Sequence, residues 1–152
     1  MSTPIKVAII GASGYTGAEL IRILLNHPKV EITALVANSN AGQKIEQLYP
    51  HLANYNLPDL KKIEDVDFTN IDAAFGCLPH TTSQETFKKI LSDDKNSHLK
   101  IFDLSADFRL EDPANYSLWY EHEHIAPALQ KQAIYGLSEI HREKIKAKLI
   151  II

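Results

Sequence analysis

IKVAIIGASGYTGAEL, residues 5–20, decides how the rest of the chain is read. Ile5 to Ile10 form a short, nearly unbroken apolar run, the pattern of a parallel strand covered on both faces. GASGYTG at 11–17 follows at once and opens a segment with helical spacing. A glycine loop between strand and helix is where a phosphate group meets free backbone amides and the positive end of a helix dipole. Gly11 can take the tight turn, Gly14 can let the backbone approach a pyrophosphate, and Gly17 can let the helix lie close to the sheet. Ser13 and Thr16 add hydroxyl donors. The spacing is G-x-x-G-x-x-G rather than the commoner G-x-G-x-x-G, and such a turn can be purely structural. Its place between strand and helix favours a dinucleotide.

Working outward, Leu20, Ile21, Leu24 and Leu25 recur at helical spacing, and Pro28 stops the helix, which predicts a span of about Tyr15 to Asn26. EITALV at 31–36, AAFGCL at 73–78 and KIFDL at 100–104 read as further strands. A helix is expected over Thr81 to Leu91, a short one at Ile45 to Leu48, and a last one capped by Ser138 and running to about Lys146. Strands that alternate with helices predict an α/β fold with a Rossmann-like, doubly wound and mainly parallel sheet. The chain ends in LIII at 149–152, the look of a buried strand. Domains seldom stop inside one, so residues 1–152 are expected to be a single dinucleotide-binding domain, truncated before a second one.

Past the second strand the sequence is ANSNAGQK, 37–44, with no carboxylate. An Asp or Glu there would hold the ribose hydroxyls of NAD and repel a 2′-phosphate, so its absence admits NADP. Asn38 and Ser39 offer neutral donors and Lys44 a cation, although an ordinary polar loop reads the same way. In CLPH, 77–80, His80 invites an acid–base role, but a lone His at a strand end is more often structural or exposed. Cys77 is expected to be an inert thiol buried in its strand. DLSADFRL at 103–110 alternates like an edge strand or an extended loop, and Arg109 is placed either on an anion or in a salt bridge with Asp107. EHEH at 121–124 is a poor metal set, since one short loop does not complete a tetrahedral shell.

Composition narrows the field. The 152 residues, 45% of them hydrophobic, suit one globular domain. A formal charge of −3 offers no basic stripe to nucleic acid or anionic lipid. No apolar run nears the roughly 18 to 20 residues that span a bilayer. The single cysteine fits a reducing cytoplasm.

These segments together resemble the amino-terminal half of the N-acetyl-gamma-glutamyl-phosphate reductases, within the wider semialdehyde dehydrogenase group. The resemblance rests on GASGYTGAEL at 11–20, SNAG at 39–42, PHL at 50–52, LPH at 78–80, DLSADFRL at 103–110, WY at 119–120 with His124, and YGL at 135–137 with Glu139. It covers essentially the whole chain. It implies an arginine-biosynthesis enzyme that reduces N-acetylglutamyl 5-phosphate to the semialdehyde with NADP(H), through a cysteine thioester, and releases phosphate. By position it assigns Gly11, Ser13, Gly14, Tyr15, Thr16, Gly17, Asn38, Ser39, Leu78 and Pro79 to the cofactor and Arg109 to the substrate phosphate. The family's nucleophile belongs to an Asn-Pro-Gly-Cys segment after the strand that LIII resembles. That segment, the catalytic His and the second domain are absent here, and Cys77 is not the nucleophile's counterpart, so no catalytic residue and no metal are assigned and the fragment is expected to be inactive. Asn38 stands where many relatives carry Arg, which narrows the expected NADP preference, and Ser138 stands where Pro is usual. The full-length protein is expected to be a homo-oligomer. Two other readings remain: a stand-alone nucleotide-binding module, and another acyl-phosphate reductase such as aspartate-semialdehyde dehydrogenase. DLSADFRL with YGL weighs against the last.

Overall fold

A computed structural model describes residues 3–152, which form two compact units, one ending at Cys77 and one running from Leu78 to Ile152. The first unit holds β1 (Ile5–Ile10), α1 (Tyr15–Leu24), β2 (Val30–Val36), α2 (Ile45–Leu48), β3 (Leu60–Lys61) and β4 (Ala73–Gly76). Its strands are ordered β3-β2-β1-β4, and every pair is parallel. The chain winds outward from β1 to β2 and β3, then returns to place β4 on the other side of β1. The sequential order therefore reverses at β1, and a doubly wound sheet opens its ligand crevice at that reversal. Val7 to Ile10 are almost wholly buried, as the unbroken apolar run required. In α1, Gly17, Ala18, Ile21 and Leu24 form the buried stripe. This helix ends at Leu24, two residues before the expected Asn26.

The second unit holds α3 (Thr82–Leu91), β5 (Lys100–Asp103), α4 (Pro113–Tyr120), α5 (Pro127–Gln130), β6 (Ala133–Ile134), α6 (Ser138–Lys146) and β7 (Ile150–Ile151). Its strands are ordered β5-β7-β6, again parallel. Phe87, Leu99, Ile101, Phe108, Tyr116 and Ile150 are its largest fully buried apolar side chains.

Several local expectations are corrected. Ser138 is the first residue of α6 rather than its cap: Leu137 occupies the cap position, and no side chain closes the helix end. β4 stops at Gly76, so Cys77 lies just beyond the strand and is half-buried, with its N–H donating to the Ile10 carbonyl at 2.8 Å. β5 stops at Asp103 because that carboxylate turns back to accept from Ser105 N–H and Ser105 Oγ, a local turn that competes with strand pairing. The segment from Leu104 to Leu110 is consequently a loop of turns and not an edge strand.

Candidate functional site

The glycine loop follows directly from how β1, β2 and β4 end. Gly11 and Ala12 both donate their N–H groups to the Val36 carbonyl at 2.9 Å, so the loop leaves β1 against the end of β2. Gly11 has φ +85°, and a Cβ there would lie 2.2 Å from the Cys77 carbonyl oxygen. Only glycine fits, by backbone conformation and by space together. A Cβ on Gly17 would come within 2.7 Å of Ala12 Cα, which is why α1 can lie so close to the loop that precedes it. Gly14 differs: it is exposed, and the single heavy atom near its Cβ position is the Gly11 carbonyl oxygen at 3.5 Å.

Gly14 is also the cap position of α1, and no side chain caps it. The amides of Tyr15, Thr16 and Gly17 thus open the helix as its first-turn donors, with the positive end of the dipole behind them. Ser13 is half-buried and Thr16 exposed. The Tyr15 ring is 90% exposed beside the loop. Tyr49, beyond α2, donates its hydroxyl to the Ser13 carbonyl at 2.8 Å and pins the loop from outside. No motif marked Tyr49; a contact across 36 residues leaves no local signal.

Asn38 and Ser39 lie in a 3-10 turn just past β2 and are both exposed. Asn38 Oδ1 accepts from Ile63 N–H at 3.3 Å, which leaves its Nδ2 as the outward donor. Ser39 Oγ donates to Asn40 Oδ1 at 3.0 Å. Lys44, also exposed, is the cap residue of α2. The loop at 11–17 and the turn at 38–40 are therefore brought to the same end of β1 and β2.

Leu78, Pro79 and Arg109 belong to the second unit. Leu78 is half-buried and Pro79 exposed. Next to them Thr81 adopts φ +73°, held there by Asp107, which accepts from Thr81 N–H at 2.7 Å and Gln84 N–H at 3.2 Å. Asp107 is fully buried, and it also accepts from the Tyr116 hydroxyl at 2.9 Å. The salt bridge considered between Arg109 and Asp107 does not form. Arg109 is exposed, its guanidinium 5.9 Å from the centre of the Tyr135 ring. It lines a cavity of about 700 Å³ with Tyr135, Lys131, His141, Lys144 and a single carboxylate, Glu111, so the concavity is strongly cationic.

The loop before Arg109 rests on buried polar groups. Ser83 Oγ donates to Asp103 at 3.0 Å, and Gln130 Nε2 donates to the Phe108 carbonyl at 2.9 Å. Burial raises the Asp103 carboxyl above its ordinary range, although bonds from Ser105 and Ser83 oppose the rise. Burial, helped by Asp107, pushes the Tyr116 phenol up to about 12. Burial also lowers the His124 imidazole, which is packed edge-on against Phe108 and Tyr116. Among the described residues no cluster of three His, Cys, Asp or Glu side chains could hold a metal ion. No helix among them is long and apolar enough to cross a membrane.

Comparison with known proteins agrees with this architecture. The chain is 55% identical over 95% of its length to N-acetyl-gamma-glutamyl-phosphate reductase of Jannaschia sp., and 52% identical over 93% to that of Rhodobacter capsulatus. A plastid relative in rice, described as a probable reductase of the same name, is 48% identical over 96%. The chain spans 41%, 40% and 34% of those proteins. Among solved structures, aspartate semialdehyde dehydrogenase II of Vibrio cholerae superposes with a TM-score of 0.64 at 15% identity, over 99% of this chain and 38% of that one. The enzyme of Candida albicans superposes with 0.59 at 24%, over 73% and 32%. These two carry the fold alone. The family model described as semialdehyde dehydrogenase, NAD binding domain, matches residues 6–148, nearly the whole of both units, and to that family the chain belongs.

Proposed function

We propose that residues 1–152 are the NADP(H)-binding domain of a longer, two-domain reductase that converts N-acetylglutamyl 5-phosphate to N-acetylglutamate semialdehyde in the cytoplasm. The observation that carries this reading is the division of labour in the glycine loop. Gly11 and Gly17 are filled tightly by the protein itself, whereas Gly14 faces open space at an uncapped helix end. That is a cradle for a pyrophosphate, closed by a Cβ at only one position. Ser13, Tyr15, Thr16 and Gly17 would complete it, with Asn38 and Ser39 toward the 2′-phosphate and Leu78 and Pro79 toward the nicotinamide. The dinucleotide, when bound, supplies the hydride.

Arg109 supports the substrate assignment. Its planar fork can grip a phosphate through two parallel hydrogen bonds, and Tyr135 beneath it restricts the guanidinium without neutralising it. The neighbouring cations favour a small anion over a neutral ligand. With a net charge of −3 over the whole chain, this local excess is not a nucleic-acid surface. Names of relatives that share about half the sequence point to the acyl-phosphate chemistry, and the full-length protein is taken as a homo-oligomer.

Titration calorimetry with NADPH tests the cofactor reading. Heat of binding in the micromolar to millimolar range is expected from the wild type and none from Gly14→Val. A folded wild-type chain that binds no NADPH at millimolar concentration would overturn it.

A further inference from the structure

The peptide between Ser13 and Gly14 is the joint at which the glycine loop turns into α1. Its N–H, on Gly14, donates to the Gly11 carbonyl at 3.1 Å, and its carbonyl, on Ser13, accepts the Tyr49 hydroxyl at 2.8 Å. Gly14 stands at φ −81°, which any residue can adopt, but without a Cβ it also takes positive φ at little cost. Glycine at this position therefore leaves the peptide plane free to rotate unless both of its ends are held. The Gly11 bond holds one end from within the loop. Tyr49 holds the other from outside it.

The phenol has a firm mounting. Tyr49 N–H donates to the Ile45 carbonyl at 2.9 Å, and the Tyr49 carbonyl accepts from Leu52 N–H at 2.9 Å. Ile45 and Leu52 are almost wholly buried, so the backbone on either side of the ring is anchored in the core. The His51 ring meets the phenol edge-on, with centroids 6.1 Å apart. Tyr49 and its supports lie in the same compact unit as the glycine loop, the one that ends at Cys77.

We propose that Tyr49 is a positioning residue for the pyrophosphate. Acting through the Ser13 carbonyl, its hydroxyl fixes the peptide before Gly14, so that the amides of Tyr15 and Thr16, which follow directly, keep one direction before the anion arrives. An anion that finds its donors already aligned loses no binding free energy to ordering them. The missing side chain that suits Gly14 to a phosphate is also what loosens its peptide, and the bond from outside the loop offsets that looseness. This inference rests on the NADP reading above, and it adds to that reading a residue that works from behind the cradle.

Tyr49→Phe removes the hydroxyl and keeps the ring. Calorimetric titration with NADPH should find binding about three- to tenfold weaker than in the wild type. The melting temperature should fall by no more than about 4 °C, because the lost bond is only half-buried. Amide spectra of 15N-labelled protein separate positioning from a general loosening of the fold. Without ligand, the Gly14, Tyr15 and Thr16 peaks should shift and broaden in the variant, and saturating NADPH should return them to their wild-type bound positions. The Asn38 and Ser39 peaks should stay in place, although both residues lie in the same stretch between β2 and β3 as Tyr49. Unchanged NADPH affinity, or weaker binding with unmoved Gly14, Tyr15 and Thr16 peaks, overturns the inference and leaves NADP binding intact. So does a loss accompanied by displaced Asn38 and Ser39 peaks or by a larger fall in melting temperature, since the hydroxyl would then be supporting the fold. A wild type that binds no NADPH overturns the NADP reading and the inference together.

Discussion

The Tyr116 hydroxyl donates at 2.9 Å to Asp107, the same carboxylate that accepts both amides at the start of α3. A buried acid without a counter-cation is tolerable when hydrogen bonds satisfy it, and Tyr116 supplies the one side-chain donor of the three. Tyr116→Phe should therefore destabilise the chain by about 1.5 to 3 kcal/mol, with a fall of several degrees in Tm. An unchanged melting curve would show that Asp107 does not depend on the phenol.

Alkaline pH acts on the same pair. The phenol is raised from 10.0 to about 12, so an unfolded chain ionises first. Stability from the neutral phenol is complete below pH 10 and is lost as pH climbs toward about 12. Ultraviolet titration of the folded chain should show a tyrosine ionising toward pH 12, and Tyr116→Phe should delete that step.

Acid acts through His124. Burial lowers its folded pKa beneath the ordinary 6.5, so the unfolded chain takes the proton first and stability falls as pH drops below that value. Asp103 works in the opposite sense: its raised carboxyl favours the folded state as it protonates on acidification. His124→Gln should flatten the decline just below pH 6.5. Persistence of the same slope would assign it to another group.

Cofactor preference should be modest and movable. Asn38 offers a neutral amide, and charge-assisted bonds are roughly twice as strong, so Asn38→Arg should widen the ratio of NAD to NADP dissociation constants about tenfold. The same ratio in both proteins would place the 2′-phosphate away from this turn.

The chain alone should show no reductase turnover. Its only thiol, Cys77, is half-buried and set against Ile10. With N-acetylglutamate semialdehyde, phosphate and NADP, activity should appear only in a longer protein carrying a second domain. Turnover by residues 1–152 that vanishes in Cys77→Ser would make Cys77 the nucleophile.

Much of this was legible in sequence where signals are local. The run IKVAII, the glycine loop and the short helix Ile45–Leu48 are marked by apolar runs, turn residues and helical spacing, and each lies where these place it. The two-residue strands β3 and β6 left no periodicity to read, because a pattern of period two needs several residues to show. Ser138 carried the right side chain for a cap but stands one position inside the helix. The buried network of Ser83, Asp103, Asp107 and Tyr116 escaped for a different reason. Polar residues read as surface until partners distant in sequence enclose them, as Ser83 and Asp103 do across 20 residues. His80 was visible as a residue, but its acceptance of the Ala106 N–H at 3.1 Å, a contact across 26 residues, left no local signal.

The three glycines of the loop would separate cleanly in a mutational survey. Scored on cellular abundance, substitutions at Gly11 and Gly17 would register as losses, since a side chain there collides with Cys77 or Ala12, while Gly14 would look permissive. Scored on binding of NADPH, all three would look alike under the proposed cofactor reading. The difference between the two maps would locate the pyrophosphate without any ligand-bound structure, and it would do so at the one glycine that folding alone gives no reason to keep.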